Sequence, residues 1–313
     1  KAGVNDPDVF TESKKDDPKR NRDGIKKEIF RMQEKIKQAY EKILSVQPFW
    51  EAERKNKYII TDPELNGPVA VVYEIIADPG VKGLKSIPGI GLIGINFSLE
   101  KEKPQAMVCG VLSKSKEVPL YGVSRVLSCQ FYPCQFTRLF GIPSKEVTDI
   151  ELPLDDFIPP GSLAEEIASA DSFQEAVDRF NIFINTWKNR NLRMTSNDFL
   201  SRYLVINALK THGTLQIADL EKETGYSARY IQKVMLEHVG LAPKIALNNI
   251  RFQNVVRQLI ENPYASLAET AQEAGYYDQS YFTKVFKDYM GVTPHIFVKK
   301  LQNILKSGNS IRK

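Results

Sequence analysis

The stretch LAETAQEAGYYDQSYFTKVFKDYMGVTP, Leu267 to Pro294, has a counterpart 50 residues earlier in IADLEKETGYSARYIQKVMLEHVGLAP, Ile217 to Pro243. Ala218 meets Ala268, Gly225 meets Gly275 and Tyr226 meets Tyr276. With one residue inserted in the later copy, Tyr230 meets Tyr281, Lys233 meets Lys284, Gly240 meets Gly291 and Pro243 meets Pro294. A short helix, a glycine turn and a longer helix within about 27 residues is the pattern of a helix-turn-helix, and its recurrence makes it an internal repeat. Everything from Asp198 onward reads as helical around this pair. A first helix ends near Thr211 with Gly213 as its C-terminal cap, and Pro243 opens a connecting helix to about Glu261, where Asn262-Pro263 stops it. Ser266 with Glu269, Asp278, and Thr293-Pro294 mark the starts of the last three helices. Seven helices are expected.

The rest of the chain has a different texture. Val69–Ile76, Ile90–Phe97, Met107–Leu112 and Val123–Tyr132 are apolar or β-branched runs between Pro, Gly and Lys-rich turns, which predicts an antiparallel sheet or a small barrel. Residues Pro143 to Asp156 read as a loop with a short turn of helix. Ser162 with Glu165 and Ser172 with Glu175 have capping-box spacing, and Phe173, Val177, Phe180, Ile184 and Trp187 share one face of the second helix. Residues 24–46 carry apolar positions at helical spacing, suited to packing on the sheet or to dimerisation. The fold class is therefore α+β: an N-terminal β-rich regulatory domain with flanking helices, then an all-α domain of seven helices with two helix-turn-helix motifs. The expected boundaries are a tail at 1–23, the β-rich domain at 24–187, a polar linker at 188–197, the helical domain at 198–306 and a tail at 307–313.

Composition narrows the function classes. A chain of 313 residues with 42% hydrophobic and 26% charged residues is globular and long enough for two cores. The net charge of +5 lies entirely in the repeat-bearing part: residues 195–313 hold 15 Lys+Arg against 10 Asp+Glu, and the remainder balances at 28 and 28. Three irregularly spaced cysteines, Cys109, Cys129 and Cys134, suit reduced thiols in a cytoplasm rather than a disulfide framework. The charged first 30 residues lack a signal-peptide core, no apolar run reaches about 20 residues, and the missing initiator Met reads as a processed or recombinant terminus. A membrane partner is not expected.

Function follows from the second helix of each unit, which in a helix-turn-helix lies in the major groove while the first braces it. The candidate base-reading residues are Arg229, Gln232 and Lys233 in the first copy and Gln279, Ser280, Thr283 and Lys284 in the second. Arg and Lys suit guanine, Gln suits adenine, and small hydroxyls serve several partners. The opposite faces, Tyr230, Ile231, Val234 and Met235, then Tyr281, Phe282, Val285 and Phe286, are expected to point inward. Lys244, Arg251, Lys287 and Lys300 are the candidate phosphate contacts.

The stretch from Asp198 to Leu305 closely resembles the DNA-binding domain of the AraC/XylS family of bacterial transcription regulators. The later copy carries the stronger signature, with Gly275-Tyr276, Ser280, Phe282, Phe286-Lys287, Gly291 and Thr293-Pro294 in the family's order and spacing. The resemblance implies two reading helices in adjacent major-groove segments, and double-stranded DNA as the partner. RNA polymerase, a small-molecule effector and a second copy of the chain are the further partners such a regulator would use. Two positions depart from the pattern: Glu221 stands where the first unit usually has Ala, kept as Ala271 in the second, and Val298 stands where Arg is common. Phe131–Phe157 is similar to the end of an uncharacterised sensor domain found ahead of such DNA-binding domains, in which the Cys134 position is commonly Gly.

Other motifs read as structural. Gly89-Ile90-Gly91-Leu92-Ile93-Gly94 satisfies G-x-G-x-x-G, but a β-like run follows where a phosphate-binding helix would have to start. Residues 1–194 contain no histidine, which removes a His-built metal site or a His base from that half. No cofactor, metal site or catalytic constellation is expected. The sequence points to a DNA-binding transcription regulator modulated by an effector or by dimerisation. Its alternatives are an effector-independent architectural protein and a DNA-directed enzyme.

Overall fold

A computed structural model describes residues 58–60, 68–76, 84–87, 92–100, 102–119, 125–159, 161–188 and 195–307. The expected tails, the helix over 24–46 and most of the polar linker lie outside the described residues.

Six strands form one antiparallel sheet: β1 (Tyr58–Ile60), β2 (Val69–Ile76), β4 (Gly94–Ser98), β5 (Gln105–Cys109), β7 (Arg125–Phe131) and β8 (Glu151–Pro153), in the order β1-β2-β7-β4-β5-β8. β3 (Leu84–Ile87) and β6 (Lys116–Pro119) pair separately. Four of these strands answer the apolar runs of the sequence, and β2 has the predicted bounds. The others are short edges whose pairing, not their own pattern, makes them strands. No helix follows the glycine-rich motif, since Gly94 opens β4 directly.

The sheet is covered by α1 (Gln135–Phe140), α2 (Leu163–Ala168) and α3 (Phe173–Lys188), and the layer between is aromatic. Phe97 meets Phe180 edge to face at 5.7 Å, Phe131 meets Phe136 and Phe140 at 5.8 and 5.7 Å, and Phe140 meets Trp187 at 5.4 Å. Such pairs add about 0.5–1.5 kcal/mol each beyond the area they bury. Ser172 Oγ accepts from Glu175 N at 3.1 Å and starts α3 as its capping-box spacing predicts. The turn into α1 puts Cys134 at φ 72°, the left-handed region. That geometry suits Gly best, which is why a Gly is natural at this position.

The seven expected helices follow: α4 (Ser196–Lys210), α5 (Ile217–Thr224), α6 (Ala228–His238), α7 (Pro243–Glu261), α8 (Leu267–Glu273), α9 (Gln279–Met290) and α10 (Pro294–Lys306). α5 with α6 and α8 with α9 are the two helix-turn-helix pairs, joined by α7. The buried side chains do not divide where the polar linker would divide the chain. Ile231, Val234 and Met235 of α6 belong to one continuous apolar cluster with Phe131, Val111 and Phe180 of the sheet half. The second half of α7 with α8, α9 and α10 forms a separate cluster around Phe252, Phe282, Phe286 and Phe297. The packing boundary therefore falls inside α7.

The last turn of a helix leaves carbonyls without intrahelical partners. At the end of α6 the sheet half supplies the donors: Thr137 Oγ1 to Glu237 O at 3.1 Å, Ser144 Oγ to His238 O at 3.1 Å, and Thr148 Oγ1 to Gly240 O at 2.8 Å. Gly240, at φ 85°, lies so close that an added Cβ would sit 2.7 Å from Thr148 Oγ1 and Val111 Cγ1. α9 receives a smaller contact, from the backbone N–H and hydroxyl of Ser115 to Asp288 O.

Candidate nucleic-acid interface

The exposed faces of α6 and α9 carry the chemistry. On α6, Arg229, Gln232 and Lys233 are exposed, while Ile231, Val234 and Met235 are buried. On α9, Gln279, Ser280 and Lys284 are exposed, Thr283 is half-buried, and Phe282 and Phe286 are buried. Each expected base-reading residue thus lies on the side of its helix away from the core or at its margin. Val285 is half-buried and packs against the second cluster, as expected of an inward position.

The inward reading fails for Tyr281, which is 52% exposed. Its counterpart Tyr230 is half-buried, stacks on Tyr226 at 5.0 Å, and donates its hydroxyl hydrogen to Asn197 Oδ1 at 2.8 Å. Tyr281 lies tilted against Tyr276 at 6.3 Å instead of stacked on it, and the inserted Tyr277 before it is fully exposed. Sequence reasoning missed both, although the one-residue insertion was the available signal.

The starts of the two reading helices are built differently. Ser227 Oγ accepts from Tyr230 N at the α6 cap, and Glu221 Oε1 accepts from Ala228 N at 2.6 Å. Glu221, the departure from the family pattern, therefore occupies an orphan donor at the positive end of α6 and does not loosen the packing. In the second unit Ala271 is buried, and Asp278 Oδ1 caps α9 through Ser280 N at 2.8 Å.

The phosphate candidates separate into two groups. Lys244, near the start of α7, and Lys287, in the last turn of α9, are exposed; Lys300 is half-buried on α10. Arg251 has an internal task. Its Nη2 donates to Gly213 O at 2.8 Å and its guanidinium lies 5.8 Å from the Tyr276 ring, so it joins the end of α4 to the turn before α9. That contact engages Nη2 of the phosphate candidate Arg251. Burial raises the Tyr276 hydroxyl pKa, opposed by Arg251.

Beneath the first reader lies a buried acidic group. Asp198 Oδ2 accepts from Thr195 N and Thr195 Oγ1, both at 2.6 Å, and its Oδ1 is 3.3 Å from His238 Nδ1. Burial alone would raise this carboxyl, but contacts with His238 and Thr195 outweigh it and hold the pKa below the usual value. The cysteines are inert by environment, with burial pushing Cys134 up to about 12 and raising Cys109 and Cys129 too. Among the described residues, no group of three or more His, Cys, Asp or Glu could hold a metal ion, and no helix is long and apolar enough to cross a membrane.

Comparison with known proteins covers both halves. Residues 220–300 match a family described as a helix-turn-helix domain, and residues 59–153 match a domain of unknown function (DUF6597). The Msm operon regulatory protein of Streptococcus mutans serotype c is 32% identical over 90 residues, which cover 29% of this chain; the chain spans about 32% of that relative's length. Among solved structures, ToxT from Vibrio cholerae with a bound unsaturated fatty acid is 15% identical, with a TM-score of 0.39, covering 80% of this chain and 98% of that one. An apo ToxT variant is 18% identical, with a TM-score of 0.41 over 74% and 97% of the two chains. The chain is thus similar to a helix-turn-helix domain over residues 220–300 and to a domain of unknown function over residues 59–153.

Proposed function

We propose that the protein is a sequence-specific DNA-binding regulator of transcription, acting in the cytoplasm, with α6 and α9 as its two major-groove readers. One observation carries the reading. Both second helices turn a row of hydrogen-bonding side chains outward while fixing the opposite row in a core. Base readout falls to Arg229, Gln232 and Lys233 on α6 and to Gln279, Ser280, Thr283 and Lys284 on α9. Lys244, Lys287 and Lys300 hold phosphates, which makes affinity fall steeply with salt. For both helices to meet one face of B-DNA, their spacing must match one helical turn, about 34 Å. The matched relative is a regulatory protein, which supports regulation over catalysis.

The sheet half, residues 24–187, serves as the regulatory domain, and 198–306 as the DNA-binding domain across a linker at 188–197. The hydroxyl contacts on the end of α6 supply a route for control, since whatever shifts the sheet half shifts the first reader. An effector or a second copy of the chain would act by favouring one placement of α6 over another. RNA polymerase is the further partner of a protein that activates.

The test is binding to a site selected from random DNA. Gln232→Ala and Lys284→Ala should each cost about 1–3 kcal/mol on the selected site and little on random duplex. Equal losses on both duplexes would remove these residues from base reading.

A further inference from the structure

One side chain of the second reading helix has a chemistry that the base-reading set leaves unused. On α9, Gln279, Ser280 and Lys284 are exposed and Phe282 and Phe286 are buried. Tyr281 lies between these two rows, half of it in solvent. Three residues separate it from Lys284, which puts the two about 60° apart around an α-helix. Tyr281 therefore flanks the polar reading row, and it adds an apolar ring to residues that otherwise offer hydrogen bonds.

That ring has a support. Its centroid is 6.3 Å from that of Tyr276, which is buried, packs on Phe282 at 5.2 Å and has the Arg251 guanidinium 5.8 Å from its own ring. An aromatic side chain already held against a fixed neighbour loses little conformational freedom when a partner covers it. In the major groove the base pairs display hydrogen-bonding groups and a single apolar one, the thymine C5-methyl. That methyl is the partner such a ring can bury at a base edge.

We propose that Tyr281 is a further specificity-determining residue of the second reader, whose ring packs on the C5-methyl of one thymine in the segment that α9 reads. This rests on the DNA-binding reading, with α9 in the major groove. The counterpart Tyr230 is half-buried, stacked on Tyr226 and bonded to Asn197, so the methyl is read in the α9 half of the site and not by its equivalent on α6.

The test uses the full chain and a duplex that it selects from random DNA. Each thymine is replaced in turn by deoxyuridine, which removes only the methyl. One replacement, in the half of the site where Lys284→Ala relaxes base preference, should weaken binding about fourfold, the worth of one buried methyl. Tyr281→Ala should bind the parent duplex at least about fourfold more weakly and show no penalty at that thymine. Tyr281→Phe, which keeps the ring, should keep the penalty. An unchanged response to base changes in the α6 half reports that the alanine variant is folded, and Tyr281→Gln replaces it if that response is lost. A penalty that persists without the Tyr281 ring would give the methyl to another side chain, such as Thr283 or the exposed Tyr277, and overturn the proposal. Equal weakening of selected and random duplexes by Tyr281→Phe would also overturn it, by assigning the hydroxyl to a phosphate. A selected site with no methyl-sensitive thymine in the α9 half overturns the inference and leaves the DNA-binding reading standing. A chain that selects no site at all overturns both.

Discussion

In the first helix-turn-helix unit, Ile231, Val234 and Met235 pack into the same buried cluster as Phe131 and Val111 of the sheet half. In the second, Phe282 and Phe286 close on Phe252 and Phe297 in a cluster of their own. The ends of the reading helices repeat the contrast: three hydroxyls from the sheet half hold the end of α6, whereas among the described residues Ser115 is the one hydrogen-bonded to the end of α9. Two units of one sequence pattern are thus attached to different bodies. The difference teaches that a repeat can preserve a helix-turn-helix geometry while its copies are held differently, one packed into the sheet half and one held by its own aromatic core.

The largest effect that could break this comparison is a cavity in one core. Phe286→Ala should cost about 3–5 kcal/mol and lower the unfolding of the second unit while the sheet-half transition stays in place. Ile231→Ala should instead pull down the sheet half with the first unit. Calorimetry that shows one transition moved equally by both variants would merge the two bodies. Gly240→Ala comes next, at about 2–4 kcal/mol, because φ 85° disfavours a side chain and the new Cβ would press on Thr148 and Val111. Urea denaturation should register that loss in the sheet half as well as in α6. Glu221→Ala should cost about 1 kcal/mol, the usual effect of losing a helix-start acceptor. Amide exchange would then speed up in the first turn of α6 and not in α9.

Acid sharpens the comparison from another side. The Asp198 carboxyl titrates below its unfolded value, so it contributes stability above about pH 4 and loses it as pH falls through the folded value. Asp198→Asn should therefore be less stable than the unaltered protein at pH 7, and the gap should close progressively below about pH 4. A gap independent of pH would remove the carboxylate charge as its cause.

Much of this architecture was legible in the chain. Short-range spacing marks all seven helices from Ser196 onward, because caps, glycine turns and apolar periodicity are local signals, and β2 is evident from one uninterrupted apolar run. What escaped depends on contacts distant in sequence. Glu221 reads as a misfit until Ala228 N is found against its carboxylate, and Arg251 reads as a surface cation until Gly213 O and the Tyr276 ring enclose it. Tyr281 reads as inward by its alignment with Tyr230, yet it is exposed. The layer between the strands and α3 is closed by ring contacts among Phe97, Phe131 and Phe180, residues far apart in sequence. Such pairings are made by the fold, and no local pattern announces them.

The central claim is that the first reader shares a cooperative body with the sheet half and the second does not. Native-state hydrogen exchange on the full chain, followed through low concentrations of denaturant, tests it most directly. The account predicts that the buried-face amides of α6 open with the same free energy and denaturant dependence as those of β7, while those of α9 open in a separate event. Exchange that joined α6 to α9 and set both apart from β7 would contradict it.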